Sequence, residues 1–244
     1  MDRGLELTGE AEATHFWFRG FRLFVGAALE DAIAGRRDLR LMDCGCGTGY
    51  NLRLLEPYGD VFAFDLTRTG VQRTHARGKP VVCADITRIP FASRTFDVVT
   101  SFDVLQSVPA DGEAVREMAR LLRPGGIMVV TLAALDALRG DHALSFNELR
   151  RYTPRTARRL VEQAGLRVER ASFQFASVFP VIAGARVAQR ILRPLRGVRE
   201  NSDISVPPAP VNDALTALVT AEAALSRRWR MPIGSSVLVV ARKS

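Results

Sequence analysis

The spacing of apolar and polar positions switches repeatedly between strand-like and helix-like periods up to about Leu132. Arg40 to Cys44 ("RLMDC") ends a short apolar run ahead of glycines. Val61 to Asp65 ("VFAFD") and Val81 to Asp85 ("VVCAD") are further runs that stop on an acid, and Phe96 to Phe102 ("FDVVTSF") is a fourth. Between them, Asn51 to Glu56 ("NLRLLE") reads as a helix stopped by Pro57 and Gly59, and Thr69 to Arg77 has helical composition. Asp111 to Arg123 is a stronger helix, acidic at its start and basic at its end, as the helix dipole favours. "RPGG" at Arg123 to Gly126 is a turn into a fifth strand that starts at Ile127 ("IMVVTL"). Short apolar runs alternating with helices predict an α/β sheet that is mainly parallel.

Beyond Leu132 the pattern loosens. Thr153 caps a helix that runs to about Ala164, with Pro154 at its first position, where a missing N–H does no harm. Gly165 ends it, and "LRVERASF" is a strand. Phe173 to Val198 is apolar with arginines at helical spacing. A Pro-rich connection, Asn201 to Asn212, leads to an Ala-rich helix from Asp213 to Arg228, and "GSSVLVVARKS" is the final strand.

Composition narrows the class without deciding the function. The chain has 244 residues, 47% of them hydrophobic and 25% charged, enough for one large globular domain. No stretch of ~18 uncharged apolar residues occurs and no signal-peptide pattern opens the chain, so a cytoplasmic protein is expected. Cys44, Cys46 and Cys83 do not form a disulfide framework. A net charge of +8 invites a nucleic-acid partner, but 32 of the 34 basic residues are scattered arginines, with Lys79 and Lys243 the only lysines. That imbalance fits GC-rich coding better than a nucleic-acid footprint; an acidic small molecule or a membrane surface suits the same charge.

The chemistry concentrates in "LMDCGCGTGYN", Leu41 to Asn51. A strand, a glycine-rich turn and a helix start form a nucleotide-binding geometry, in which bare backbone approaches a ligand. A dinucleotide fingerprint, G-x-G-x-x-G/A, fails because its sixth position is Tyr50, and the Gly-Lys-Ser/Thr of a phosphate-binding loop is absent. Cys44 and Cys46 have no further ligands at zinc spacing, so no metal is expected and the thiols read as small packing residues.

What remains, D-x-G-x-G-x-G, resembles the first motif of the class I S-adenosylmethionine-dependent methyltransferases. "VFAFD", "CADITRIPF", "FDVVTSFDVLQSVP" and "LLRPGGIMVV" resemble the later motifs in the expected order, across about residues 41 to 131. "HFWFRGFR" near the start and "PPAPVN" with "IGSSVLVVARK" near the end are similar to a bacterial, small-molecule-type subgroup. The resemblance implies a Rossmann-like, seven-stranded, mainly parallel sheet with helices on both faces and an antiparallel last strand at the edge. It implies a single domain with N-terminal lid helices (1–38), a cofactor-binding core (39–132), acceptor-side elements and a cap (133–230), and the final strand (231–244).

The resemblance also implies a cofactor, S-adenosyl-L-methionine, converted to S-adenosyl-L-homocysteine. Asp65 would accept from the ribose hydroxyls with Leu66 beside it, although a carboxylate there could instead cap the next helix. Asp43 would order the glycine turn or meet the methionine amino group, with Gly45, Cys46 and Gly47 supplying close backbone. Asp85 and Ile86 would flank the adenine, and Ser101 and Phe102 lie where the fourth strand meets the cofactor. Trp17 and Arg19, on an N-terminal helix closing over the site, would touch adenosine and carboxylate.

General-base candidates are sparse. Related sequences read Glu-His where this one has Gln106-Ser107, and a His before "RRY" where this one has Glu148. Those exchanges remove two imidazoles that would accept a proton near neutral pH. His15, His142, Glu148 and Tyr152 remain as candidates, while His75 lies on an outer helix. Arg186, Arg190 and Arg193 share one helical face, which reads as a cap over the acceptor pocket or, alternatively, as a helix lying transiently on a membrane. The implied activity is methyl transfer by direct displacement to a small-molecule acceptor, lipid-like or acidic. The alternatives are a catalytically silent cofactor-binding scaffold and a nicotinamide-dependent oxidoreductase, the latter opposed by Tyr50 and the "LRPGG" turn. Oligomeric state is not encoded in any of these patterns.

Overall fold

The structure is a computed structural model that describes residues 5, 8–9, 11–140, 143, 146–196 and 205–244. Its strands are β1 (Leu39–Cys44), β2 (Gly59–Asp65), β3 (Val81–Cys83), β4 (Phe96–Phe102), β5 (Leu122–Ala133), β6 (Leu166–Gln174) and β7 (Ser236–Lys243). They form one seven-stranded sheet in the order β3-β2-β1-β4-β5-β7-β6. The pairs β1–β2, β1–β4, β2–β3 and β4–β5 are parallel, and β7 runs antiparallel to both β5 and β6. Strand order reverses between β1 and β4, and in such sheets ligands bind in the crevice beyond the carboxyl ends of the strands there.

Continuous burial identifies the central strands. Leu41 to Cys44 in β1 and Ile127 to Leu132 in β5 are buried throughout, as expected where helices cover both faces. Successive residues serve opposite faces. Met42, Val99, Met128 and Val130 pack in one core with Phe96, Met118 and Val161. Leu41, Val98, Ile127 and Val129 join the other with Phe24, Leu29 and Val219.

The helices are α1 (Phe16–Ile33), α2 (Arg68–Ala76), α3 (Asp111–Leu121), α4 (Pro154–Glu162), α5 (Phe179–Arg196) and α6 (Ala209–Ser226). α1 and α6 pack closely because Gly20 lacks a side chain; a Cβ there would lie 2.2 Å from Val219 Cγ1. Asn212 fixes the same pair, accepting from Phe16 N at 2.9 Å and donating to Thr14 O at 2.9 Å. The expected cap of α4 is a capping box of Thr153 and Thr156 with Pro154 in the first turn. Among the described residues, no helix is long and apolar enough to cross a membrane.

Several boundaries differ from the sequence reading. Residues 51–56 form two 3-10 turns, Tyr50–Leu54 and Glu56–Tyr58, because Pro57 disfavours the α conformation just before it. β5 starts at Leu122: Phe96 pairs with Leu122 and Val98 with Ile127, so the glycine-containing turn bulges out of a ladder that continues across it. α6 starts at Ala209, since Pro210 is tolerated in a first turn. The last strand is antiparallel as expected, but it lies between β5 and β6, and β6 takes the edge. Of the Pro-rich connection, residues 201–204 lie outside the described residues, as do the α5 side chains from 192 onward, including Arg193.

Candidate functional site

A cavity of about 930 Å³ opens beyond the carboxyl ends of β1, β2, β4 and β5. Its floor is the turn after β1. Gly45, Gly47 and Gly49 have φ of +81°, +55° and +74°, in the left-handed region that favours glycine. Gly45 is also sterically closed, because a Cβ there would sit 2.6 Å from Val104 Cγ2. The turn is pinned to β2: Gly45 N and Cys46 N both donate to Phe64 O, at 2.9 and 3.0 Å.

Asp65 ties the turn to α2. Its Oδ2 accepts from Gly47 N at 2.8 Å, while Oδ1 accepts from Thr67 N and Thr67 Oγ1 at 2.8 and 2.7 Å. Thr67 in turn caps α2 by accepting from Gly70 N. The helix-capping and ligand-facing readings of Asp65 therefore coexist: the carboxylate is buried, organises the next helix and lines the cavity. Asp85 has the same local arrangement with Thr87, accepting from its N and Oγ1 at 2.8 Å each. Leu66, Asp85, Ile86 and Phe102 line the cavity as well.

Asp43 is buried at the strand end and accepts from Thr100 Oγ1 at 2.7 Å. Burial pushes its carboxyl up to about 7; the Thr100 hydrogen bond opposes that rise and the nearby Asp65 carboxylate adds to it. The thiols behave as packing groups. Burial raises Cys44 well above the usual thiol range and Cys46 to about 12, so both are protonated thiols near neutral pH. Cys46 Sγ rests 3.4 Å from Thr74 Oγ1. Tyr50, the residue that breaks the dinucleotide pattern, is ringed by the guanidinium groups of Arg22, Arg53 and Arg77, each about 5 Å from its centroid.

The N-terminal segment closes the cofactor side. Glu12 is buried and its two carboxylate oxygens lie 2.6 and 2.7 Å from Thr48 Oγ1, which donates to them. Arg77 reaches both partners, donating to Thr48 O at 2.8 Å and facing Glu12 at 4.0 Å. Burial raises the Glu12 carboxyl above its ordinary value, against the opposing Thr48 hydrogen bond. Leu5, Thr8 and Glu12 all line the cavity. Trp17 also lines it, stacked on Phe175 at 3.8 Å. His15 caps α1, its Nδ1 accepting from Trp17 N at 3.1 Å, and burial lowers its pKa. In the neutral ring that bond leaves the proton on Nε2, so His15 has no free acceptor nitrogen.

The opposite wall is mostly apolar, with Phe18, Phe146, Val181, Ile182 and Leu215 among its residues. One ion pair is sunk into it. Glu148 Oε2 accepts from Arg151 Nε and Nη2 at 3.0 and 2.8 Å, and both side chains are nearly inaccessible. α5 contributes Val181, Ile182, Ala185 and Arg186 to the wall and is anchored by Arg190 donating to Ala137 O at 2.5 Å.

Three expected positions lie off the cavity. Arg19 faces Asp213 at 3.7 Å. Ser101 donates to Cys44 O at 2.8 Å inside the sheet. Tyr152 is buried with its hydroxyl donating to Asp111 Oδ2 at 2.8 Å; burial and that carboxylate raise its pKa, which suits a structural tie rather than a base. His142 lies outside the described residues. Glu12, Thr48, Arg151 and Ser235 line the cavity without having been singled out in the sequence. Only Arg151 carried a local signal, three residues after Glu148 and thus at ion-pair spacing.

The glycine turn and the acids ending β1 and β2 fit an adenosyl ligand with a charged amino group: close backbone at 45–47, an ordered carboxylate at 65 and a buried one at 43. Comparison with known proteins agrees. Residues 42–130 match a family described as a methyltransferase domain. A malonyl-(acyl-carrier protein) O-methyltransferase of Enterobacter lignolyticus is 38% identical over 114 residues, 46% of this chain and 45% of the relative. A demethylmenaquinone methyltransferase of Beutenbergia cavernae is 36% identical over 135 residues, 51% of this chain and 55% of the relative. The chain thus spans about half the length of these curated relatives. The crystal structure of an S-adenosylmethionine-dependent methyltransferase from Mesorhizobium loti superposes with a TM-score of 0.57 at 18% identity, over 88% of this chain and 96% of that one; this likeness speaks for the fold. Residues 42–130 thus match a methyltransferase domain, and the motif order and sheet topology resemble those of the class I S-adenosylmethionine-dependent methyltransferases.

Proposed function

We propose that the protein transfers the methyl group of S-adenosyl-L-methionine by direct displacement to a small apolar acceptor, leaving S-adenosyl-L-homocysteine. The observation that carries this reading is one continuous cavity with two chemically distinct walls. The glycine turn, Asp43 and Asp65 form one side, and the aromatic and aliphatic surface around Phe146, Val181 and Ile182 forms the other. At about 930 Å³ the cavity is near the top of the ~300–1,000 Å³ range of small-molecule sites, which supports two occupants side by side.

In this reading Asp65 accepts from the ribose hydroxyls, with its other bonds to Gly47 and Thr67 fixing the carboxylate plane. Asp85 and the Ile86 backbone flank the adenine, and Asp43 faces the amino group. The bound cofactor supplies an activated methyl on a positively charged sulfur. The protein's contribution is to align the acceptor and exclude water. Because positive charge disappears from sulfur as the methyl moves, a dry apolar wall favours the transition state over the charged ground state. His15 is set as a donor, and Glu148 is engaged by Arg151, so neither is arranged as a free general base. Among the described candidates none is placed as a free base, which fits an acceptor that brings its own electron-rich atom. α5 acts as the cap over it, and the exposed Val187 and Ile191 beside Arg190 give that cap an apolar, basic outer face suited to collecting a lipid-like acceptor at a membrane surface.

Isothermal titration calorimetry with S-adenosyl-L-homocysteine and with NADH tests the cofactor assignment, and mass spectrometry after incubation with S-adenosyl-L-methionine and an acceptor panel tests transfer. Binding of NADH in place of the homocysteine product overturns the reading. Tight cofactor binding with no methylated product across apolar acceptors favours the silent-scaffold alternative.

A further inference from the structure

The acceptor wall holds buried polar atoms that the protein leaves unmatched. Gln106, on the 3-10 turn Leu105–Ser107, is 4% exposed and lines the cavity. Among the described residues its Oε1 is buried with no hydrogen-bond partner. Its backbone carbonyl is satisfied, since Gln106 O accepts from Leu149 N at 2.8 Å, so the unmatched acceptor is on the side chain. Ser235 Oγ is a second such atom, buried and on the same cavity wall. Its neighbourhood is shared with Arg151: Ala134 N donates to Ser235 O at 3.1 Å, and Ala134 O accepts from Arg151 Nη1 at 3.2 Å. Buried polar groups in folded proteins are nearly always paired, and two uncharged exceptions on one ligand cavity point to the ligand as the missing partner.

We propose that Gln106, Ser235 and the Glu148–Arg151 pair form a polar subsite for a neutral hydroxyl group on an otherwise apolar methyl acceptor. This rests on the methyl-transfer reading for the identity of the ligand as the acceptor. A hydroxyl both donates and accepts, so it serves the Gln106 amide in either orientation and the Ser235 hydroxyl together. An anion is disfavoured. Glu148 already balances the Arg151 guanidinium, the amide and the hydroxyl carry no charge, and carboxyl groups outnumber guanidinium groups on the cavity wall by six to two. Of those two, Arg186 donates to Gln189 Oε1 at 2.8 Å. A carboxylate or phosphate entering beside Gln106 and Ser235 would lose its hydration there while the adjacent Arg151 is already balanced by Glu148.

The test uses three probes of similar length: 4-octylphenol, octylbenzene and 4-octylbenzoate, titrated into protein saturated with S-adenosyl-L-homocysteine. The phenol should bind about tenfold tighter than either of the others, as expected where a site's buried polar group is paired only by the right ligand. Gln106→Leu should bring the phenol to the affinity of octylbenzene, leave octylbenzene and S-adenosyl-L-homocysteine binding unchanged, and leave the Tm equal or higher. A purely structural glutamine would lower the Tm and shift all three probes together. Ser235→Ala provides a second variant should Gln106→Leu fold poorly, with the same selective loss expected. Equal affinities for phenol and octylbenzene, a preference for 4-octylbenzoate, or an unselective effect of both substitutions overturns the proposal. If S-adenosyl-L-homocysteine itself fails to bind, the methyl-transfer reading falls; the comparison of the three probes on the unloaded protein still decides the subsite.

Discussion

Replacing Asp43 by Asn should flatten the dependence of stability on pH between about pH 4 and pH 8. The Asp43 carboxyl is buried at the end of β1, where desolvation disfavours its charged form and holds its pKa near about 7 against an ordinary 3.8. The folded protein thus keeps a proton that the unfolded chain releases. The associated stability is fully present below the ordinary value and is lost as pH rises through about 7. At ~1.4 kcal/mol per pH unit, the interval from 3.8 to about 7 corresponds to roughly 4 kcal/mol. Asparagine keeps an acceptor for Thr100 Oγ1 and carries no charge at any pH. The variant should therefore match wild type near pH 4 and exceed it by up to about 4 kcal/mol near pH 8. Urea denaturation of both proteins at matched pH values isolates the Asp43 contribution, because titrations common to both, Glu12 among them, cancel in the difference. Parallel stability curves across that range would refute the buried, proton-retaining carboxyl.

Three further outcomes follow from the same geometry. Asp65→Asn sets an amide NH₂ against the Gly47 N–H and removes the charge. Its affinity for S-adenosyl-L-homocysteine should fall by about 10- to 100-fold in calorimetry, the range expected for hydrogen bonds to a charged group; unchanged affinity would remove Asp65 from the site. Gly20→Ala should destabilise the protein by about 1–3 kcal/mol through overpacking against Val219 and Phe175. Adding Val219→Ala should recover part of that loss in urea denaturation, and strict additivity of the two changes would exclude the contact. Glu12→Gln weakens the tie between the N-terminal segment and Thr48, so release of S-adenosyl-L-homocysteine, followed by stopped-flow fluorescence of Trp17, should speed up about tenfold. Unchanged release would show that the segment does not gate the cavity.

The fold around the glycine turn was legible in the sequence because its determinants are local. A buried parallel strand reads as an uninterrupted apolar run, and the acids at 43, 65 and 85 that line the cavity stand at the ends of such runs. The glycines at 45, 47 and 49 are needed where they stand, for φ or for clearance. What was not legible depends on pairings distant in sequence. Arg19 was assigned to a cofactor carboxylate, yet Asp213 meets it from α6. Glu222 accepts from Ala176 N and Ser177 N, joining α6 to the loop after β6, with nothing nearby in sequence to announce it. The misplaced final strand had a readable signal. Ser236 to Ala241 are buried without a break, as an interior strand requires, whereas β6 alternates with exposed and half-exposed charged residues such as Arg167, Glu169 and Arg170. Placing β7 at the edge weighted chain order over that difference.

The acceptor half shows why the hunt for a general base stalled. The dipeptide Gln106-Ser107 was read as the loss of an imidazole, but Ser107 Oγ donates to Phe146 O at 2.7 Å and fixes the far wall, leaving Gln106 as the group that faces the cavity unpaired. Glu148 was likewise read as standing in place of an imidazole, and it neutralises Arg151 inside the wall. On the proposed reading, residues 106 and 148 hold a polar head of the acceptor rather than take its proton. A buried ion pair contributes little net stability unless its remaining hydrogen bonds are met, and an unmatched amide beside it adds strain of the same kind. Tolerating both on one cavity wall makes physical sense when the cavity's second occupant supplies what is missing. The exchanges at 106 and 148 are then one change in how the acceptor is held, and the chemistry passes to an acceptor that needs no proton removed by the protein.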